Sequence, residues 1–196
     1  MGRRPRPRQA GLYHLASHGS DTRRLFLADI DRTDFLDELA ATCERFELGL
    51  VSYVLMSNHY HALLRVPEGA LPRALQRLHT RFARAHNRRH GRSAHLFRAH
   101  AYAGEIESNE QLAATSRYLA RNPVRVGLAD APLEWPWGSA RAHAGLGQPR
   151  IPLTEADLQG AFGEGRDWRV RYFEYIVANE EKARVCGPFL SSGGRI

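Results

Sequence analysis

The sequence has little cysteine and no long apolar run, and each of these shortages excludes a class of protein. The two cysteines, Cys43 and Cys186, are too far apart for a zinc-ligand spacing or a disulfide framework, and Cys43 falls on the apolar side of a predicted helix. No apolar run approaches the ~20 residues that span a bilayer, and the basic N-terminus lacks the apolar stretch of a secretory signal. We therefore expect a cytoplasmic protein.

Positive charge is abundant, and arginine supplies nearly all of it. Lys182 is the only lysine, yet the 196-residue chain has a net charge of +7 and a pI near 10.0. Arginine stays protonated and presents a planar fork to phosphate, so a polyanion is the favoured partner and nucleic acid is the first candidate. A genome-wide preference would explain arginine in place of lysine, but it would not explain the excess of positive charge.

Hydrophobic periodicity predicts the order β-α-β-β-α-β followed by a further helix. Strands are expected at residues 11–17, 50–56, 59–66 and 96–106, and helices at 31–46, 71–89 and from Ser108 to near Asn122, where Pro123 disfavours continuation. This is the order of the α+β ferredoxin-like split β-α-β sandwich, an antiparallel sheet with helices on one face. The third strand would be central in that sheet.

Composition divides the chain into three parts. Residues 1–10 form a basic flexible arm, in which Arg3 and Arg4 could touch phosphates, although a solubilising tail explains the arm equally well. Residues 11–145 hold the predicted sandwich and its extra helix. Residues 146–196 begin with a Gly- and Pro-rich linker and continue as a helical C-terminal extension and tail.

The third strand has two histidines separated by one residue. His59 and His61 would point to the same face, while Tyr60 and Ala62 would face the core. Neutral imidazole nitrogen is a common metal ligand, so this pair predicts a metal site completed by a third side chain, water and substrate oxygen. A polar strand face that binds nothing is the alternative, because such pairs arise easily by chance.

The second helix has a row of arginines on one face, spaced by three or four residues. A row made only of cations indicates a phosphate-binding face, although a solvated helix face is the alternative. Its members are Arg73, Arg77, Arg81, Arg84 and Arg88.

The third helix has a tyrosine that could act as a nucleophile on phosphorus. Tyr118 lies beside Arg117 and Arg121, and Asn122 follows by four residues on the same helix face, where its amide oxygen could be a third metal ligand. A buried aromatic residue packed on the sheet is the alternative.

Several motifs, in order and spacing, resemble the REP-associated tyrosine transposases of the single-tyrosine HUH endonuclease superfamily. They are Met56-Ser-Asn-His-Tyr-His, Tyr118-Leu-Ala-Arg-Asn-Pro-Val-Arg-Val-Gly-Leu and Trp135-Pro-Trp-Gly-Ser-Ala, with Gly11-Leu-Tyr-His and His95-Leu-Phe as further support. The resemblance covers roughly residues 11–145. One departure is Ala99-His-Ala-Tyr, where the family usually has a Gly-Arg-aromatic-Lys run.

The resemblance implies both a fold and a chemistry. It implies the same sandwich, His59 and His61 as the metal pair, Asn122 as the third ligand, and Tyr118 as the nucleophile. It also implies Mg²⁺ or Mn²⁺ as cofactor, single-stranded or hairpin DNA as partner, and palindromic REP hairpins as substrate. A DNA-acting enzyme of this kind, monomeric or dimeric, is expected at the nucleoid.

These inferences give one reaction hypothesis and two alternatives. The hypothesis is metal-dependent cleavage and rejoining of single-stranded DNA through a 5′-phosphotyrosine intermediate, with Arg117, Arg121 and the arginine row contacting DNA. One alternative is a hairpin-binding regulator on the same scaffold that performs no chemistry. The other is a phosphodiesterase that uses water, which usually calls for more metal-binding Asp and His than this strand offers.

Overall fold

The computed structural model describes residues 9–20, 23–93, 95–98, 100–165 and 167–178. Within these residues no helix is both long enough and apolar enough to cross a bilayer. The elements in chain order are β1 (Gly11–His18), α1 (Asp29–Phe46), β2 (Gly49–Leu55), β3 (His59–Val66), α2 (Ala70–Arg89), β4 (Tyr102–Ile106), α3 (Asn109–Arg125), α4 (Ala140–His143), α5 (Ala156–Phe162) and α6 (Trp168–Val177).

The strands form one antiparallel sheet in the order β2-β3-β1-β4. β2 and β3 are joined by a tight turn, in which the Met56 amide donates to the His59 carbonyl at 2.9 Å. Strand β3 therefore lies between β2 and β1, as predicted. The predicted ferredoxin-like sandwich is confirmed.

Helices α1 and α2 cover one face of the sheet. The alternate residues of β3 point toward them, and none of Tyr60, Ala62, Leu64 and Val66 is more than 2 % exposed. Burial of each large apolar side chain in this layer contributes about 1.5–3 kcal/mol to folding. The helices supply Phe35, Leu36, Leu39 and Cys43 from α1 and Leu71, Leu75, Leu78 and Phe82 from α2.

Helix α3 and the C-terminal helices cover part of the other face. They enclose a second core that includes Leu12 of β1 and Leu63 of β3. The described part of the C-terminal extension therefore packs onto the sandwich, and the predicted boundary near residue 145 stays a prediction. The apolar residues after that point are Leu158, Phe162, Trp168, Tyr172 and Ile176.

The Trp-Pro-Trp-Gly-Ser segment covers the free edge of β2. The Leu55 amide donates to the Trp137 carbonyl at 2.8 Å, and the Ser139 amide donates to the Tyr53 carbonyl at 3.0 Å. Trp135 Nε1 donates to the Leu55 carbonyl at 2.9 Å. An exposed edge strand invites pairing with another chain, and this segment prevents it by occupying the edge groups.

Two element boundaries differ from the prediction. Strand β4 is confined to Tyr102–Ile106, and the residues before it contribute one bridge between Gly19 and Phe97. Helix α3 continues through Pro123 to Arg125 instead of ending near Asn122. A proline removes one backbone donor, but it lies in the last turn here, where the Leu128 amide still donates to the Pro123 carbonyl at 2.9 Å.

Stability should fall in mild acid because His143 is buried in a neutral form. This residue is fully buried against Tyr172, and burial lowers its pKa from 6.5 to about 4. Between these values the unfolded chain binds a proton that the folded chain excludes, so the free energy of unfolding falls by up to about 1.4 kcal/mol per pH unit as pH drops.

The comparison of wild type with His143→Phe isolates this contribution. Urea unfolding of both proteins from pH 7.5 to pH 5 should show a shallower loss of stability in the variant, since other titrating groups are shared. Parallel curves for the two proteins would contradict the assignment.

Candidate active site

Strands β1 and β3 place four histidines on one face of the sheet. Their register sets His18 opposite His59 and Ala16 opposite His61. Because side chains alternate along a strand, His14 and His18 share the face that carries His59 and His61. This face is turned toward α3, and we call these four residues the histidine face.

His61 is held by a hydrogen bond across the sheet. His14 Nε2 and His61 Nδ1 are 3.0 Å apart, and their rings stack with centroids 5.1 Å apart. His61 is only 5 % exposed, and its other nitrogen, Nε2, has no hydrogen-bond partner among the described residues. A buried polar atom of this kind calls for a ligand, an ion or a water.

His59 is held by its neighbour in the turn. Its Nδ1 lies 2.8 Å from Asn58 Oδ1, and its ring stacks on His18 with centroids 4.7 Å apart. An amide oxygen only accepts, so His59 Nδ1 donates and Nε2 keeps its lone pair. In both strand histidines Nδ1 is therefore occupied by the protein, which leaves Nε2 for a metal.

The pKa values agree with neutral imidazoles on this face. Burial lowers the pKa of His14 to about 4. Burial, with a smaller effect of His18, lowers the pKa of His59 to about 4. Burial and the neighbouring histidines lower the pKa of His61 well below its usual value. Neutral imidazole is the form that binds divalent metals.

Tyr118 of α3 lies over this face. Its ring meets that of His61 edge to face at 5.3 Å between centroids and that of His14 at 6.2 Å. The Arg125 guanidinium lies 5.6 Å from the Tyr118 ring centroid. Helix α3 begins at the predicted cap, where Ser108 Oγ accepts from the Gln111 amide at 3.2 Å.

Asn122 follows Tyr118 by one helical turn. It is 5 % exposed, and its Nδ2 has no hydrogen-bond partner among the described residues. Residues four apart on a helix share a face. Its role as third metal ligand stays a prediction.

Arg117 and Arg121 point toward α6. Arg117 is 7 % exposed and donates to the carbonyls of Tyr175 and Ala178, the latter at 2.6 Å. Arg121 donates to the Ile176 carbonyl at 3.2 Å. In this arrangement both guanidinium groups join α3 to α6, and their predicted contact with DNA has no support from their positions.

The arginine row of α2 lies on one helix face, but a carboxylate from α1 pairs with two of its members. Glu38 of α1 accepts from Arg77 at 3.1 Å and from Arg81 at 2.8 Å. Sequence periodicity on α2 alone could not reveal a carboxylate on α1. Arg73, Arg84 and Arg88 are exposed.

A groove of about 590 Å³ lies between α2 and the segment before β4. Arg84 and Arg98 line it together with Phe97, whose ring stacks on His79 at 4.0 Å between centroids. The Arg98 amide donates to the His18 carbonyl at 2.9 Å, so this segment adjoins the histidine face.

Some predicted site residues lie outside the part of the chain that the structure describes. Other candidate site residues were not predicted from the sequence. Arg3, Arg4 and the rest of residues 1–8, together with the tail after residue 178, lie outside the described residues. His14 and His18 were given no role, although their alternation on β1 could have signalled a shared face. The four-residue spacing of His86, in α2, and His90, directly after it, was also missed.

Comparison with known proteins gives matches of three kinds. The model of a family described as IS200-like transposases matches residues 10–122. A Haemophilus influenzae protein described as a candidate REP-associated tyrosine transposase is 25 % identical over 142 residues, covering 67 % of this chain and 80 % of that protein. A solved REP-associated tyrosine transposase bound to a REP hairpin has a TM-score of 0.65 and 14 % identity, covering 79 % of this chain and 93 % of that one. The resemblance inferred from the motifs is thereby confirmed.

Loss of the His14 hydrogen bond should weaken metal binding at His61. His14→Phe removes the partner of Nδ1, and such partners are typically worth about 10–100-fold in metal affinity. Mn²⁺ titration followed by electron paramagnetic resonance measures the change without any DNA. His14→Gln, which can still accept from Nδ1, should bind more tightly than His14→Phe. Equal affinity of wild type and His14→Phe would rule out this role.

Proposed function

We propose that this chain, which belongs to the IS200-like transposase family, cleaves and rejoins single-stranded DNA at REP-type palindromic hairpins through a 5′-phosphotyrosine intermediate. The observation behind this proposal is the packing of Tyr118 against His61, at 5.3 Å between ring centroids, on a face with two oriented imidazoles. The hairpin as substrate is inferred from what the two relatives are described as.

The residues present fit a divalent ion such as Mg²⁺ or Mn²⁺. The buried Nε2 of His61 lacks a protein partner, and Asn58 orients His59 so that its Nε2 lone pair is available. His59, His61 and Asn122 would hold the ion. When bound, it polarises the scissile phosphate and offsets the negative charge that develops there.

Tyr118 supplies the nucleophile. Its phenolic oxygen attacks phosphorus in line, the bond to the 3′ oxygen breaks, and that oxygen takes up a proton while the tyrosine loses one. The new phosphotyrosine ester conserves the phosphodiester energy, so attack by another 3′-hydroxyl releases the tyrosine and rejoins strands. The Arg125 guanidinium above the ring adds positive charge close to the reacting phosphate.

The groove beside α2 would hold unpaired nucleotides next to the hairpin. Arg84 and Arg98 supply cations for backbone phosphates, and Phe97 offers an aromatic ring on the groove wall. Exposed Arg73 and Arg88 extend the positive charge along α2, while Glu38 offsets that of Arg77 and Arg81. Arg3 and Arg4 remain candidates for further phosphate contacts.

Tyr118→Phe should abolish cleavage and leave DNA binding within about twofold of wild type. Removal of the attacking oxygen should lower the rate by at least about a hundredfold. Denaturing gels of end-labelled hairpin DNA with Mg²⁺ or Mn²⁺, with and without chelator, detect the protein-linked product. Tyr102→Phe is the matched control, since Tyr102 is 56 % exposed and its ring also meets His14, at 5.6 Å between centroids.

Other outcomes would redirect the proposal. Free fragments without an adduct, undiminished in Tyr118→Phe, would indicate hydrolysis by water. Loss of the protein-linked product in Tyr102→Phe but not in Tyr118→Phe would identify Tyr102, in β4, as the nucleophile. Binding without cleavage across a range of palindromes, in every metal tested, would indicate a regulator.

Arg84→Gln and Arg98→Gln should each weaken binding of single-stranded DNA. Loss of one phosphate contact reduces the slope of log affinity against log salt by about 0.7–1. Fluorescence anisotropy at several salt concentrations measures both quantities. Arg45→Gln removes the same charge from an exposed position at the end of α1 and should leave the slope unchanged. If Arg84→Gln and Arg98→Gln show the same slope of log affinity against log salt as Arg45→Gln, the DNA does not contact Arg84 or Arg98.

A further inference from the structure

A second group of metal-ligating side chains lies where the start of α1 meets the end of α2. It consists of Asp31 from α1, His86 from α2 and His90, the residue directly after α2, with one ligand atom of each within 4.8 Å of the others. Two histidines four residues apart share a helix face, so both imidazoles are turned toward α1. This group is separate from the histidine face, which lies on the other side of the sheet.

His86 has the features of an unsatisfied ligand. It is fully buried, and neither ring nitrogen has a hydrogen-bond partner among the described residues. Burial lowers its pKa, and the opposing effects of Asp31 and of the Asn87 side chain do not reverse that shift. A buried polar group without a partner costs about 1–3 kcal/mol and calls for an explanation.

Asp31 is fixed with one carboxylate oxygen directed at α2. Its Oδ2 accepts from the backbone amides of Leu27 at 2.9 Å and Ala28 at 3.0 Å. Its Oδ1 accepts from His90 Nε2 at 2.9 Å and from Arg89 at 3.0 Å. A rigid carboxylate oxygen therefore already lies in contact with one of the two imidazoles.

The local charge is compatible with a cation. Arg89, which donates to Asp31, also pairs with Asp34 at 2.5 Å, so two carboxylates face this guanidinium, while Arg92 adds positive charge near His86. Arginine that donates to a ligating carboxylate is compatible with metal binding, because ligating carboxylates are usually hydrogen-bonded in turn. The nearby positive charge does not exclude the ion.

We propose that Asp31, His86 and His90 bind a borderline-soft divalent ion, of which Zn²⁺ is the representative, as a structural site joining α1 to α2. Two imidazoles and one carboxylate suit zinc better than magnesium, and water completes the tetrahedron. His90 binds through Nε2 after its proton moves to Nδ1, and Arg89 remains the hydrogen-bond donor to Asp31. The site is independent of Tyr118 and of the proposed reaction.

The experiment uses the full chain with the histidine face disabled. In a His59→Ala/His61→Ala background treated with chelator, Co²⁺ is titrated as a spectroscopic substitute for zinc. One equivalent should produce the visible absorption bands of tetrahedral cobalt, and Zn²⁺ should displace it. Because the ion binds only the folded chain, excess Zn²⁺ should raise the Tm of the same protein by roughly 5 °C or more.

Two further variants test the ligands. His86→Phe keeps an aromatic ring beside Phe82 and should remove both the cobalt spectrum and the zinc-dependent rise in Tm. His90→Gln, at a half-buried position that tolerates change, should weaken cobalt binding at least tenfold if the first variant does not fold. His100→Gln, an exposed histidine away from the group, is the matched control and should change neither signal.

Clear results would overturn the proposal. The proposal is wrong if the His59→Ala/His61→Ala protein shows no tetrahedral cobalt bands and its Tm does not change in Zn²⁺. His86 would then be a buried neutral histidine that binds no metal. Cobalt binding that persists in both His86→Phe and His90→Gln would place the metal elsewhere.

Discussion

The antiparallel pairing of β1 with β3 is the constraint on which the rest of the site depends. Its register sets His18 opposite His59 and brings His14 within 3.0 Å of His61. A shift by one residue would turn every side chain of one strand to the opposite face, so the core and the histidine face would be lost together. The same alternation buries Tyr60 on the helix side and exposes the histidines to α3, and folding and site assembly are therefore one event.

Helix α3 brings Tyr118, the proposed nucleophile, to this face, and the C-terminal helices pack against α3. Arg117 and Arg121 donate to backbone carbonyls at the end of α6, which would otherwise be unpaired. The stacking of Arg117 on Tyr175, 5.3 Å from the ring centroid, strengthens the same contact. The arginines beside Tyr118 thus position its helix, while the Arg125 guanidinium lies 5.6 Å from the Tyr118 ring centroid.

Some arginines of this chain pair with carboxylates and others are exposed to solvent, and composition does not distinguish the two groups. Some pair internally, as Arg77 and Arg81 do with Glu38 and Arg89 does with Asp31 and Asp34. The partly exposed pairs with Glu38 and Asp34 contribute little to stability, but they remove cations from the proposed DNA-binding surface. Among the described arginines, Arg73, Arg84, Arg88 and Arg98 are exposed where α2 borders the groove. The number of arginines in the sequence therefore overstates the number free to meet phosphate.

Sequence alone determined the element order, the central position of β3 and the side of β3 that faces the α1–α2 layer. These follow from periods of 2.0 and 3.6 residues, which depend only on local geometry. Tertiary structure decided which residues from distant elements meet: His14 with His61, Glu38 with the α2 arginines, and Asp31 with His86 and His90. It also decided the end of α3, because a proline in the last turn costs little once the helix is packed. Local sequence patterns specify which face of a strand or helix a side chain occupies. The residues that it contacts are set by packing between elements far apart in the chain.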